Sequence, residues 1–199
     1  AGQLRPIGEP KARYEEDPVR ILRAIRLACK LDLDIEESTA APIKQLSELL
    51  EHVSSARLWD ESNKLLLAGY AADTWYALCE YGVTKHLFSQ TWQSLKKDNS
   101  GNFEDFIYAA LESTDKRINQ QKPVTPAFLF AVFLWQPLQD LTQVLIKNGM
   151  STYDAGQKAA NKVLEIQRDS IAIPKRFSMV ARDVWNLQFR LPNRRKKNV

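Results

Sequence analysis

Apolar residues recur along this chain at three- and four-residue steps from one end to the other, with polar residues between them. That is the period of an amphipathic helix, and no stretch keeps the strict alternation of a half-buried strand. Ile21, Leu22, Ile25 and Cys29 give the apolar side of a first helix over 18–30. The same spacing predicts helices over 37–51, 56–68, 72–81, 103–119, 126–147 and 153–170, and a last one running from Pro174 to Arg190. Gly69 and Gly82 stand where left-handed residues close two of these helices, and Thr125 is placed to cap the one that Pro126 opens. The polar, aperiodic run from Lys96 to Asn102 is the strongest loop signal and separates a first helical lobe from a second. Phe128, Phe130, Phe133 and Trp135 fall at helical spacing and read as core rather than as a base-stacking platform. The expected fold class is all-α, with no convincing strand before Arg5.

Composition narrows the class without naming a function. A hydrophobic share of 44% beside 26% charged residues suits a globular chain and argues against wholesale disorder. The apolar run Ala127 to Trp135 is too short to span a bilayer. Cys29 and Cys79 lie far apart inside apolar helical patterns, which reads as two buried, reduced thiols and a cytoplasmic protein. His52 and His86 have no other ligand type at metal spacing, so no metal site is expected. Charge is more telling in its placement than in its total of +4. Residues 170–199 carry Lys175, Arg176, Arg182, Arg190, Arg194, Arg195, Lys196 and Lys197 against Asp183 alone, leaving the rest of the chain net negative. Positive charge gathered at one end points to a polyanionic partner there, with a solvated basic tail as the bland alternative.

The densest chemistry lies between Arg13 and Leu31, RYEEDPVRILRAIRLACKL. Asp17 is placed as an N-cap with Pro18 at the first helical position. Arg20, Arg23 and Arg26 then follow at three-residue steps and form a drifting stripe. Asp17 and Arg20, three apart, read as a pair. A carboxylate offers only acceptors and a guanidinium only donors, so the pair presents both along one edge. Adenine carries the complement on its Watson–Crick edge. The bland alternative is an ordinary i,i+3 ion pair on a surface helix.

The whole string resembles the nucleotide-selecting motif of the class II nucleotidyltransferases, which include bacterial poly(A) polymerases and the CCA-adding tRNA enzymes. Arg13, Tyr14, Glu16, Asp17, Pro18, Arg20, Leu22, Arg23, Ala24 and Arg26 stand at the motif's fixed positions. Departures are mild: Leu27 where Phe is usual and Cys29 where Ala is usual. A second stretch, ARLWDESNKLLLAGY from Ala56 to Tyr70, is similar to the family's later helical motif. There Arg57, Glu61 and Lys64 share one side, so that Glu61 can bridge the two cations and brace the preceding helix. Ile171 to Arg190 and Pro126 to Ala131 resemble the proteobacterial poly(A) polymerases rather than the CCA-adding enzymes.

The resemblance implies that Asp17 and Arg20 hydrogen-bond the incoming base, with Glu16, Arg13 and Arg23 orienting them or touching the nucleotide. It implies transfer of AMP from ATP to RNA 3′ ends, promoting RNA processing and decay, with Mg²⁺ held by carboxylates on a strand of a mixed α/β head, after a Gly-Ser turn that grips the phosphates. No Gly-Ser pair occurs here, so the chain reads as a fragment that begins after that head, inactive alone. Residues 1–16 are then a linker, 17–95 a helical neck that binds nucleotide and RNA, and 103–199 a helical body. Its basic end, Lys175, Arg176, Arg182, Arg190, Arg194 and Arg195, is expected on RNA, and RNA-decay proteins are expected partners. Asp32-Leu33-Asp34 mimics a metal motif but reads as helix termination. The alternatives are a CCA-adding or A-adding tRNA enzyme and a non-catalytic helical RNA-binding protein.

Overall fold

The computed structural model describes residues 2–190, with side chains through Gln188. Residues 1–16, expected as a linker, contain a helix: α1 spans Pro10–Glu16, with the Glu9 carboxylate accepting the Lys11 and Ala12 N–H groups at 3.1 and 2.6 Å. Next comes α2, Val19–Leu31, whose Ile21, Leu22 and Ile25 are fully buried. Asp32 ends it at φ 51°, in the left-handed region that Asp tolerates better than most residues. The chain can therefore turn back at once. Strand β2, Asp34–Ile35, pairs in parallel with β1, Gln3–Leu4, a two-residue ladder too short for any alternation in the sequence to announce.

Helix α3, Glu37–Leu46, gives way to a 3₁₀ stretch, Ser47–His52, where one continuous helix was expected. His86 clamps that stretch, with Nδ1 at 2.6 Å from Glu51 and Nε2 at 3.2 Å from Ser47. Ser54 caps α4, Ser55–Leu66, and Gly69 follows at φ 90°. Helix α5, Ala71–Glu80, begins without a cap of its own. Asp115 supplies one from a distance, accepting the Ala71 and Ala72 N–H groups at 2.7 and 3.0 Å. Burial pushes the Asp115 carboxyl above the ordinary carboxylate range despite those two donors. Short α6, Thr84–Leu87, and α7, Ser89–Lys97, lead to the expected loop. Asp98 organises it, accepting from Ser100 N, Ser100 Oγ and Phe103 N, so that α8, Asn102–Asn119, starts on a fixed turn.

The predicted 126–147 helix is two: α9, Pro126–Phe133, and α10, Trp135–Lys147, bent by 47°. Pro137 explains the break, because it has no N–H to give the Phe133 carbonyl. The Thr91 hydroxyl donates to that carbonyl instead, at 2.8 Å. Helices α11, Thr152–Ser170, and α12, Lys175–Arg190, complete the described chain. Of the aromatic run, Phe130 and Phe133 are buried, Trp135 partly so, and Phe128 is exposed. One buried cluster runs from Tyr14 to Trp185 and is continuous across the 98–101 turn. Cys79 is exposed rather than buried, while Cys29 is half-buried; neither is in a disulfide. The expected all-α class is what the chain adopts.

Candidate functional site

The arginine-bearing face of α2 opens onto a cleft of about 310 Å³. Arg13, Arg20 and Arg23 line one wall, Tyr14, Ala24, Leu27 and Thr39 the apolar floor, and Leu4 to Ile7 the mouth. Helix α1 explains how Arg13 reaches the wall. Its Tyr14 is buried and donates to the Thr39 carbonyl at 3.2 Å, which fixes α1 against α3. Burial, with Tyr81 nearby, pushes the Tyr14 phenol up to about 12, so it remains a donor across the neutral range. The Thr39 hydroxyl is buried beside the cleft without a hydrogen-bond partner.

The expected Asp17–Arg20 pair does not form. Arg20 turns back to Glu16 at 2.7 Å, and Glu16 also accepts from Arg13 at 2.9 Å, so one carboxylate holds two of the wall's guanidinium groups. Asp17 faces α4 instead, where Arg57 donates to it at 2.8 Å. The cause is reach: Arg57 approaches from a packed helix, whereas Arg20 lies over the preceding turn, where Glu16 stands one full turn away. Nor is Asp17 the N-cap by position, which Pro18 occupies. Its side chain still accepts the Val19 N–H at 3.3 Å, the bond a cap makes, and helix limits shift by a residue under any definition.

Burial alone would raise the Asp17 carboxyl. The Arg57 hydrogen bond and charge, the Val19 N–H and the charge of Arg23 outweigh it and hold the group below the ordinary carboxylate range. Arg23 spans two acids, at 4.0 Å from Asp17 and 3.6 Å from Glu61. Glu61, nearly sealed from solvent, also accepts from Lys64 at 3.0 Å. It thus bridges Lys64 and Arg23, not Lys64 and Arg57. The bracing of α2 by the second motif is present, with partners exchanged: Arg57 to Asp17 and Glu61 to Arg23. The half-exposed Arg57–Asp17 pair is worth little by itself and serves to fix side-chain direction, whereas the nearly sealed Glu61 carboxylate depends on its two cations to offset its burial.

Asp17 does not itself line the cleft. It borders it through Arg23 and through the turn it shares with Glu16. Tyr14 stands in the motif, but the sequence pattern assigns it no role in this site and does not mark Thr39 at all. Nothing local could have flagged Thr39, which arrives from another helix.

At the other end, Lys175 and Arg176 are exposed on the first turn of α12. The Arg176 guanidinium lies over the Phe177 ring at 4.6 Å. Arg182 is half-buried and donates to Asn161 of α11, which ties it down rather than leaving it free. Arg190 ends α12, but its side chain lies outside the described residues, as do Arg194 and Arg195 entirely. Trp185 anchors the helix by donating to the Ala131 carbonyl at 2.9 Å.

An all-α chain with an arginine-walled cleft at one end and a basic helix at the other invites comparison with enzymes that handle nucleotides and RNA. Two family models match. Residues 32–95 match the "Probable RNA and SrmB- binding site of polymerase A", and residues 148–199 match the "Polymerase A arginine-rich C-terminus". The chain belongs to this polymerase A family. Its relatives over nearly the whole length include the poly(A) polymerases I of Escherichia coli O157:H7 and Haemophilus influenzae. They are 43% and 42% identical over 98% of this chain. The chain spans 42% and 43% of those relatives' lengths, respectively. The CCA-adding enzyme of Streptococcus thermophilus is 37% identical over 55% of this chain and 28% of its own length.

Proposed function

We propose that the protein containing this chain adds AMP from ATP to RNA 3′ ends without a template, and that this chain selects the nucleotide and holds the RNA. The observation that carries the reading is the cleft of about 310 Å³ walled by three motif arginines. A wall of fixed guanidinium groups suits phosphate, and the apolar floor suits a base or sugar. Arg20 meets the adenine edge from the cleft wall and Asp17 from the cleft's border, as separate groups and not as a preformed pair. Glu16 holds Arg20 and Arg13 in place, and Arg23 stands between Asp17 and Glu61.

Division of labour follows the chain. Residues 17–95 form the nucleotide and RNA side, and 103–199 the body whose basic end runs along the RNA. The description of the family's 32–95 region, which names RNA and SrmB, supports RNA and a protein partner on this side of the chain; that the partners include RNA-decay proteins, and that they meet the chain in the cytoplasm, is part of the proposal. Among the described residues, no group of three or more His, Cys, Asp or Glu is placed to hold a metal. The residues do not fit a magnesium site, and no step through the metal is assigned to them. The proposal leaves Mg²⁺, and bond-making, to other parts of the protein. No single helix among the described residues is long and apolar enough to cross a membrane.

Two measurements test this. The whole protein, given ATP or CTP and either oligoadenylate or tRNA lacking its 3′ end, is expected to add AMP repeatedly to both RNAs and to ignore CTP. Ordered addition of CMP and then AMP to the tRNA alone would assign it to the CCA-adding relatives instead. Second, Lys175→Glu with Arg176→Glu should weaken single-stranded RNA binding and lower the slope of log affinity against log salt by roughly 1.4, about 0.7 for each phosphate no longer neutralised. An unchanged slope would remove this helix from the RNA path.

A further inference from the structure

Five cations in the charge network that joins α2 to its neighbours have acids among the described residues; Arg26 and the exposed Lys30 of α2 do not. Arg13 and Arg20 share Glu16, Arg57 holds Asp17, Arg23 lies between Asp17 and Glu61, and Lys64 holds Glu61. Arg26, the third member of the stripe, makes no ion pair with any described residue. Its Nε is buried without a hydrogen-bond partner. A guanidinium carries five donors in a fixed fork and no acceptor, so an orphaned N–H in that fork marks the direction from which an anion is missing. Arg26 as a whole is half-buried, so its charge stays open to solvent on one side, but a buried N–H without a partner is unfavourable until one arrives.

The position of Arg26 says which side the partner comes from. Arg26 does not line the cleft, unlike Arg20 and Arg23. Helical spacing puts it on the same side of α2 as Arg23 and Cys29. Arg23 reaches Glu61 of α4, and Cys29 hydrogen-bonds Thr74 of α5. Arg26 therefore sits where α2 meets α4 and α5, and both of those helices fall within the 32–95 segment that matches the family's RNA-binding region. From Arg20 to Arg26 the stripe advances about 9 Å along the helix, at 1.5 Å per residue. An anion met at Arg26 is thus distinct from a nucleotide whose base is met at Arg20.

We propose that Arg26 is a phosphate-binding residue, which takes a backbone phosphate of the RNA strand at the junction of α2 with α4 and α5. The proposal rests on the reading that this chain holds RNA, and it adds a contact point on the opposite side of the arginine stripe from the cleft. Both oxygens of a phosphate can engage the fork at once, which completes the orphaned Nε–H. The RNA strand would then pass over the α2–α4–α5 junction, with the cleft beside it left for the nucleotide.

The test uses the whole protein and a fluorescently labelled single-stranded oligoadenylate with a free 3′-hydroxyl, without ATP. Arg26→Gln should weaken RNA binding roughly tenfold, the effect of removing one charge-assisted hydrogen bond. It should also lower the salt slope by about 0.7, the value for one phosphate on a single strand. ATP binding measured without RNA should not change. Weakened ATP binding with intact RNA binding would mean that the phosphate belongs to the nucleotide, and would overturn the proposal. Unaltered RNA affinity and slope would overturn it as well. Should Arg26→Gln fail to fold, Arg26→Lys keeps the charge but loses the fork; it is expected to bind severalfold more weakly at an unchanged slope, and wild-type affinity in that variant would overturn the proposal. A wild-type protein that does not bind the RNA would sink the underlying reading too, which separates the two failures.

Discussion

Trp75→Ala should destabilise the fold by about 3–5 kcal/mol, the usual cost of emptying a fully buried aromatic site. Trp75 is 1% exposed and lies almost parallel to Phe133, with ring centroids 4.6 Å apart. Phe88 meets both rings, at 5.4 and 5.0 Å, and Phe130 beyond, at 5.9 Å. One indole therefore ties α5 to α9 and to the turn between α6 and α7. The loss would appear as a drop of roughly 6–20 °C in the unfolding midpoint of the helical region, at about 2–4 °C per kcal/mol for a unit of this size. Trp75→Phe keeps a ring in the stack and should cost less than half as much. Tyr76→Ala, next in the chain but exposed, should stay within about 0.5 kcal/mol. A Trp75→Ala protein within 1 kcal/mol or so of wild type would show that this cluster does not carry the core.

The reach of sequence reasoning in this chain follows the range of the interactions involved. Apolar period and caps are local, so Gly69, Gly82 and Thr125 mark their helix ends as the pattern implies. Where a helix end is completed from elsewhere, the pattern says nothing. Tyr70 precedes α5 with no capping chemistry, because Asp115 provides it from 44 residues away. The α9–α10 break was in principle legible, since Pro137 cannot serve the Phe133 carbonyl. What hid it is the continuous apolar pattern, which the bent pair keeps, and the Thr91 hydroxyl that satisfies the carbonyl. Cys79 follows the helical period, yet α5 turns it outward.

The candidate site divides the same way. Residue types at fixed spacing singled out Arg13, Glu16, Asp17, Arg20 and Arg23, and the fold brings them together at one end of α2. Which acid meets which base was not legible, because spacing along a helix names neighbours but not the helix packed against them. Asp17 takes Arg57 and Glu61 takes Arg23 because α4 crosses α2 there. Thr39 and Tyr14 enter the site only through the packing of α1 on α3.

Asp17→Ala in the whole protein should reduce the preference for ATP over other nucleotides by roughly 10–100-fold, since a hydrogen bond to a charged group is worth about 1.5–3 kcal/mol. The carboxylate has capacity for this beyond its protein contacts. Oδ2 accepts from Arg57 and Oδ1 from the Val19 N–H, while two oxygens offer about four lone-pair sites, so acceptor sites remain for an amino group. Arg57→Ala is the informative partner. It removes the brace but keeps the carboxylate, so KM for ATP should rise while selectivity largely persists. Equal loss of selectivity in both variants would mean that Asp17 acts only by positioning α2. The pH dependence supplies an independent check. Asp17 titrates below its unfolded value of about 3.9, so its stabilising contribution is complete above that pH and is lost as the pH falls through the lower folded value. Asp17→Asn should therefore flatten the acid limb of the stability curve below about pH 4 and leave its neutral and alkaline parts parallel to wild type. An acid limb as steep as the wild type's would show that Asp17 is not held as an anion by Arg57, and the adenine-facing role would lose its physical basis.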